Sequence, residues 1–532
     1  MKFKTIFTLV MVVALAFVFA ACGNNNDTQT NQGTTDEGTS TQHDTTGNGA
    51  ADTFGEIVTL RVFSMTPDAS ELMESLYWAD ILEDKLGIRL EFMPTGDNAE
   101  ESFALLMESG EIPDLIDFST HKQVQEAIAA GLLLNLDQHE ASLPDVFTNI
   151  PGGIRFYRDN VSNETGELYA LPRLVSTRSI ELGDVEFIPT VRFDHYEALG
   201  RPEINTWEDL IPLIADLTAM NPVTEEGQQV FGYGLFSEWD YHGLWQSSLL
   251  MNIYGVQNFG FLEINFADNT FTSMFDDNSV YKRFLDFAFT LNQMGLVDPA
   301  SVTQSFEDWR SKLGAGRYAF SEAAWIMDMF NTEERTAEGI GFMPLLVNDM
   351  MIEQVTGPNF IGHEGGWSWA IGANTAHLEH ALAYTNFMYS HDGIMRMRYG
   401  NPGPSMFWNI DESGQAYRTE ASFDPLRQQW NSVMGADRHG TIAWLRERGN
   451  LIERDFTPTL PISEEVSALE SRVAELTRTL SWQMIFSRDQ EEFDFLWGEM
   501  VYRAEAMGVT EANAERAQLH TEALQFGLRY MP

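Results

Sequence analysis

Apolar positions over residues 58–131 alternate between two periods. VTLRVFSM (58–65) alternates residue by residue and is rich in β-formers, so it reads as a first strand. Leu72, Leu76, Leu82 and Leu86 then follow helical spacing, predicting a helix over 71–86 that stops at Gly87. IRLEFM (88–93) reads as a second strand, and 99–109 as a helix stopping at Gly110. Ile112-Pro113-Asp114 leads into a third strand, LIDFS (115–119), followed by a helix over 122–130 that ends at Gly131. This alternation predicts a largely parallel α/β sheet. Farther on, VFGYGLFS (230–237) and part of GRYAFSEAAW (316–325) read as strands. Residues 463–487 read as a long amphipathic helix with Val466, Leu469, Val473, Leu476 and Leu480 on one stripe, a pattern that points to core packing.

The N-terminus has a different pattern. Lys2 and Lys4 precede an apolar run from Ile6 to Ala21 that ends at Cys22, the only cysteine. A charged start, a short apolar run and small residues describe an export signal, and the run is short for a spanning helix. Phe19-Ala20-Ala21-Cys22 resembles a bacterial lipobox, with Phe where Leu is usual. The resemblance implies that residues 1–21 are a lipoprotein signal peptide and that Cys22 is diacylated; the alternative is a secreted protein with an unused cysteine. A lone cysteine excludes disulfides within the chain. Residues 22–55 are polar and of low complexity, with almost nothing to bury, and read as a disordered tether spanning roughly 30 Å.

The 532 residues suffice for two or three domains or one large two-lobed one, and 44% hydrophobic with 21% charged residues is globular composition. The formal net charge of -47 argues against nucleic acid and against a broad anionic-membrane face, both of which need Lys and Arg. Only Lys2, Lys4, Lys85, Lys122, Lys282 and Lys312 are lysines; the other 26 of the 32 basic residues are arginines. Arginine stays protonated well above the lysine range, which suits an alkaline exterior, although compositional drift gives the same pattern.

Catalytic motifs fail one by one. His363-Glu364-Gly365-Gly366-Trp367 lacks the second His of a zinc helix, and Gly366-Trp367-Ser368-Trp369-Ala370 lacks the last Gly of a nucleophile elbow. No Walker loop occurs. Residues 221–233 and Asp276-Asp277-Asn278 lack the ligand spacing of a calcium loop. The expectation is no enzyme activity, no cofactor and no structural metal. The aromatic residues carry more information. Trp239-Asp240-Tyr241 with Trp245, then Trp325, then Trp367 and Trp369 stand in Gly-rich or loop contexts. Indole faces stack on the C–H faces of sugar rings, while hydroxyls need polar partners. Plain core packing is the alternative at each position, and Trp78, Trp207, Trp309 and Trp497 read as helix packing.

LEDKLGIRLEF (82–92), LLMESGEIPDLIDFS (105–119), IAAGLLLNLDQ (128–138), GELYALPRL (166–174), VRFDHYEALG (191–200) with TWEDL (206–210), YKRFLDFAFTLNQMGLVDP (281–299), GRYAFSEAAW (316–325) and the 368–403 and 481–509 segments follow one order. The series resembles extracellular solute-binding proteins of family 1, in the long subgroup that serves oligosaccharide importers. The resemblance implies an α/β, two-lobed, periplasmic-binding-protein-like fold of class II type with three hinge crossings. These are expected near 186–191, 342–346 and 400–404, making lobe 1 residues 56–186 plus 347–402 and lobe 2 residues 187–346 plus 403–532. It further implies a monomeric lipoprotein on the extracellular face of the cell membrane, held by its lipid alone. Such a protein captures a small ligand, most simply an oligosaccharide, and delivers it to ABC permease subunits. Ser64, Phe118, Ser119 and Arg173 are the expected lobe-1 ligand residues; Trp239, Asp240, Tyr241 and Trp325 those of lobe 2, and Trp367 is a further expected ligand residue. The rivals are a surface-anchored glycan hydrolase, which would turn oligosaccharides over, and a structural or adhesive lipoprotein, which would bind no small ligand.

Overall fold

The computed structural model describes residues 57–65, 78–94, 99–173, 184–355, 368–414, 416–436, 440–454, 457, 460 and 462–528. The signal peptide, the tether, Cys22 and Trp367 lie outside the described residues. No described helix is long and apolar enough to cross a membrane.

The first core is built on a five-stranded sheet. Its strands are β1 (Val58–Ser64), β2 (Ile88–Phe92), β3 (Leu115–Phe118), β4 (Ala170–Pro172) and β12 (Ser368–Ile371), in the order β2-β1-β3-β12-β4. β1 runs parallel to β2 and β3, whereas β12 is antiparallel to β3 and β4. The helices Trp78–Leu86, Ala99–Ser109 and His121–Ala129 fall where the 3.6-residue pattern put them. The last begins at a capping box: the Thr120 hydroxyl accepts from the Gln123 N–H, and the Gln123 side chain accepts from the Thr120 N–H. All four residues of β3 are buried, as expected of a strand covered on both faces.

The second core is separate and larger, drawing on residues from Val185 to Val509. At its centre β5 (Phe187–Arg192) lies between β9 (Phe320–Ala323) and β10 (Phe342–Pro344), antiparallel to both. A meander of β6 (Val256–Phe259), β7 (Leu262–Asn265) and β8 (Thr270–Ser273) adds to it, as does β11 (Ile352–Val355) paired in parallel with β15 (Leu451–Arg454). The hairpin of β13 (Trp408–Ile410) and β14 (Ala416–Arg418) stands apart, Trp408 clustering with Met395. The helix Glu464–Ile485 buries Val466, Val473, Leu476 and Leu480, so its apolar stripe is core packing.

Three expectations need correction. Residues 186–191 and 342–346 are not crossings: Ile188, Val191, Met343 and Leu345 are buried in the second core as parts of β5 and β10 or next to them. Ile352 also belongs to that core, so lobe 1 does not resume at 347; the chain changes core between Leu171 and Val185, again between Ile352 and Ala370, and a third time between Met397 and Leu426, an interval that contains the expected crossing at 400–404. The segment 230–237 makes isolated pairings, Phe231 with Tyr318 and Tyr233 with Val297, instead of a continuous ladder. Gly234 lets the Tyr318 ring sit against its backbone; a Cβ there would lie 2.2 Å from the ring.

Two polar features fix the geometry around the first passage. The Asp184 carboxylate takes Arg418 at 2.8 Å and Arg427 at 3.0 Å, and accepts from the Thr441 N–H at 2.9 Å. Within the second core, Glu322 on β9 is fully buried and accepts the Tyr233 hydroxyl proton. Burial pushes its carboxyl from 4.5 up to about 8, with the Tyr233 hydrogen bond opposing only part of that rise. Glu263, buried against the N–H groups of Val280 and Tyr281, is raised by burial to about 7. The folded protein therefore holds these protons more tightly than the unfolded chain, and stability falls as pH rises from about 4.5 to about 8. Glu322→Gln keeps the shape and carries no charge. Melting curves from pH 5 to 9 should show a flatter decline in this variant between about pH 5 and 8 and parallel curves above that; a slope identical to wild type throughout would show that Glu322 is already ionised in the folded protein at pH 5.

Candidate functional site

One edge of the first sheet gathers polar side chains. β1 and β3 end there at Ser64 and Phe118, β4 ends there at Pro172, and the antiparallel β12 begins there, with Ser368 opposite both Phe118 and Pro172. Ligands of open α/β sheets bind outside the carboxyl ends of the strands. The Asp117 carboxylate organises the edge, accepting the Ser64 hydroxyl at 2.7 Å and the Arg173 guanidinium at 3.0 Å. Ser119, half-buried, donates to the Gln123 side chain at 3.2 Å. Ser64, Ser119 and Arg173 thus come to one edge. Phe118 does not face it: its ring is fully buried and meets Phe103 edge-on at 5.9 Å, because both faces of β3 are covered. Phe118 is a core residue.

The second lobe contributes an aromatic platform. Trp239 is 40% exposed and Trp325 42% exposed, although both are large and apolar. Their rings lie nearly parallel, 6.4 Å apart at 15°. Phe306 stacks with Trp239 at 4.3 Å and with Trp325 at 5.7 Å. Beneath lie Phe236 and Trp309, both buried, with Trp245 edge-on to Trp239 at 5.0 Å. The Trp309 indole N–H donates to the Gly234 carbonyl at 2.9 Å, which fixes the floor. Trp325 follows β9 directly, and the neighbouring Ala324 N–H donates to the Glu186 carbonyl. That bond places the platform beside the first passage between the cores, the same passage that the chain enters after Arg173.

Asp240 and Tyr241 have different roles from each other. Tyr241 is 70% exposed. Both oxygens of Asp240 are already engaged, one by the Trp245 backbone N–H and one by the Trp482 indole N–H, each at 2.8 Å. Burial raises its carboxyl to about 6 against the pull of those two donors and of Arg478. Asp240 holds its loop in place and does not point a free carboxylate at a ligand. Trp207, Trp309 and Trp497 are buried, and Trp369 packs partly buried against the first core. Among the described residues no group of three or more His, Cys, Asp or Glu is placed to hold a metal ion.

No protein-family model matches the sequence, and no curated protein is significantly similar to it. Similarity appears in solved structures. An HMO-binding, ABC-transporter-associated solute-binding protein of Bifidobacterium longum infantis superposes with a TM-score of 0.54 at 14% identity, covering 88% of this chain and 99% of that one. The N-glycan transport protein NgtS of Streptococcus pneumoniae gives 0.52 at 12% identity, with 88% and 99% covered. FusA of S. pneumoniae, an ABC-transporter substrate-binding protein solved with kestose, gives 0.51 at 13%, with 88% and 100% covered. The fold is that of the two-lobed solute-binding proteins.

Two members of the candidate site were not expected from the sequence. Asp117 looks like one more polar residue in an alternating strand, and Phe306 like the start of a helix; neither position carries a local signal of its pairing. Trp325→Ala should leave the ligand-free melting temperature almost unchanged, because an exposed side chain contributes little to the core. Binding of a recognised oligosaccharide should weaken by about 2–4 kcal/mol, roughly thirtyfold to nearly a thousandfold. A collapsed melting temperature with near-normal affinity in the folded fraction would return Trp325 to the core.

Proposed function

We propose that this protein is the substrate-binding component of an ABC importer, that its ligand is an oligosaccharide, and that it acts by binding and not by catalysis. The observation that carries the reading is the pair of near-parallel, exposed indoles over a buried aromatic floor, beside the passage between two lobes. Exposing two tryptophans to water is unfavourable without a partner, and a sugar ring supplies a flat apolar face. The polar edge of Ser64, Ser119 and Arg173 offers donors and acceptors for hydroxyls from the opposite lobe. Three structural neighbours described as binding HMO, N-glycan or kestose support the same ligand class. Ligand that touches both lobes only when they approach shifts the population towards a closed form. The closed protein, a monomer, then docks on a membrane permease powered by a separate ATPase. Cys22 carries the lipid, residues 22–55 form the leash, and the body works outside the cell membrane.

A melting-temperature screen over neutral and uronate-containing oligosaccharides tests the ligand class. At a hundredfold excess over its dissociation constant, a true ligand stabilises by about 2.7 kcal/mol. The same ligand should compact the protein in small-angle scattering; a saturated sample with an unchanged profile would rule out a closing cleft. For the anchor, Cys22→Ala should move the protein from membrane fractions into the medium with its melting temperature intact, and retention on the membrane would refute lipidation there.

A further inference from the structure

The loop that carries Trp239 is held by a helix more than two hundred residues later in the chain. The helix Glu464–Ile485 reaches the loop 237–244 at several points along one face. Trp482 donates its indole N–H to Asp240 at 2.8 Å. Arg478 donates to the Tyr241 carbonyl at 3.1 Å and to the Asp240 carbonyl at 3.4 Å. Glu470 lies 3.4 Å from His242 and is itself gripped by Arg516 through two bonds of 2.8 and 2.7 Å. Ser481 shares a 2.7 Å hydrogen bond with the Tyr281 hydroxyl, which accepts from the Leu244 N–H at 3.4 Å. A Cβ on Gly243 would lie 2.6 Å from the Tyr281 ring, so the end of the loop is pressed onto that residue. Trp239 itself meets Phe236, Trp245, Phe306 and Trp325 through its ring. Stacked rings slide over one another easily, whereas a hydrogen bond to the next residue fixes position and angle.

We infer that Trp482 is a positioning residue for ligand binding: through its bond to Asp240 it sets the face of Trp239 parallel to that of Trp325. The inference rests on the platform's being the ligand surface proposed above. Trp482 is buried and stacks on Phe486, so its own ring never meets a ligand. Its contribution passes through one N–H. Platform residues held within a fraction of an ångström bind better than loose ones, because the ligand then does not have to order them.

Trp482→Phe removes the N–H and keeps an aromatic ring, and Asp240→Ala, which removes the acceptor, is a second route to the same bond if the first variant folds poorly. The ligand-free readout is the near-UV circular dichroism of the Trp239–Trp325 pair, defined in each background as the signal lost when Trp325→Ala is added, so that the loss of the Trp482 indole itself does not count. The binding readout is affinity for whichever of kestose, maltotriose and lacto-N-tetraose binds the wild type. Trp482→Phe should diminish the pair signal and weaken binding about tenfold, with a melting temperature close to wild type. The double variant Trp482→Phe, Asp240→Ala should bind no worse than Asp240→Ala alone, since that variant has already removed the acceptor of the Trp482 bond. An unchanged pair signal, an altered signal with unaltered affinity, or fully additive losses would each overturn the inference. If none of the three sugars binds the wild type, the oligosaccharide reading falls, and the pair signal alone still decides whether Trp482 positions Trp239.

Discussion

Two apolar cores that share no residue are the constraint on which the rest of the molecule depends. Each sheet must bury its own faces, so the chain cannot blend one lobe into the other and has to pass between them. Asp117, Ser64 and Arg173 stand at the strand ends on one side of the first passage, and Asp184 with its two arginines on the other. The same geometry that separates the cores thus creates the edges from which a ligand site is assembled.

The aromatic platform is the counterpart of that polar edge. Its floor belongs to a small cluster of its own, with Phe236, Trp309 and Phe330 buried and Phe306 and Trp245 half-covering them. The floor is rigid because the Trp309 indole is tied to the Gly234 carbonyl, and Gly234 leaves room for the Tyr318 ring. A rigid floor below two exposed indoles leaves only their outer faces open, which suits a ligand that is flat, apolar on its faces and polar at its rim.

Much of this was legible in the sequence where the signal is local. β1 to β3 and the helices between them follow from period and stop signals, and the helix Glu464–Ile485 from its stripe. Trp239 and Trp325 stood out because they fit no apolar period. What the sequence hid is pairing at long range. β11 finds β15 about a hundred residues away, and nothing near Ile352 says so. Asp240 looked like a hydroxyl-binding carboxylate because its two donors, Trp245 and Trp482, are invisible to a reading of its neighbours. Phe118 was misjudged because a strand end and a buried face coincide there.

The bonds between loop 237–244 and the C-terminal helices also set an order of assembly. A chain synthesised from its N-terminus presents both indoles of the platform long before it presents Glu470, Arg478, Trp482 and Arg516. The second core likewise stays open until Phe493, Met500 and Val509 arrive to close it. The platform is therefore among the last parts of the molecule to be fixed in place, and an unfinished chain holds its two tryptophans in no set arrangement.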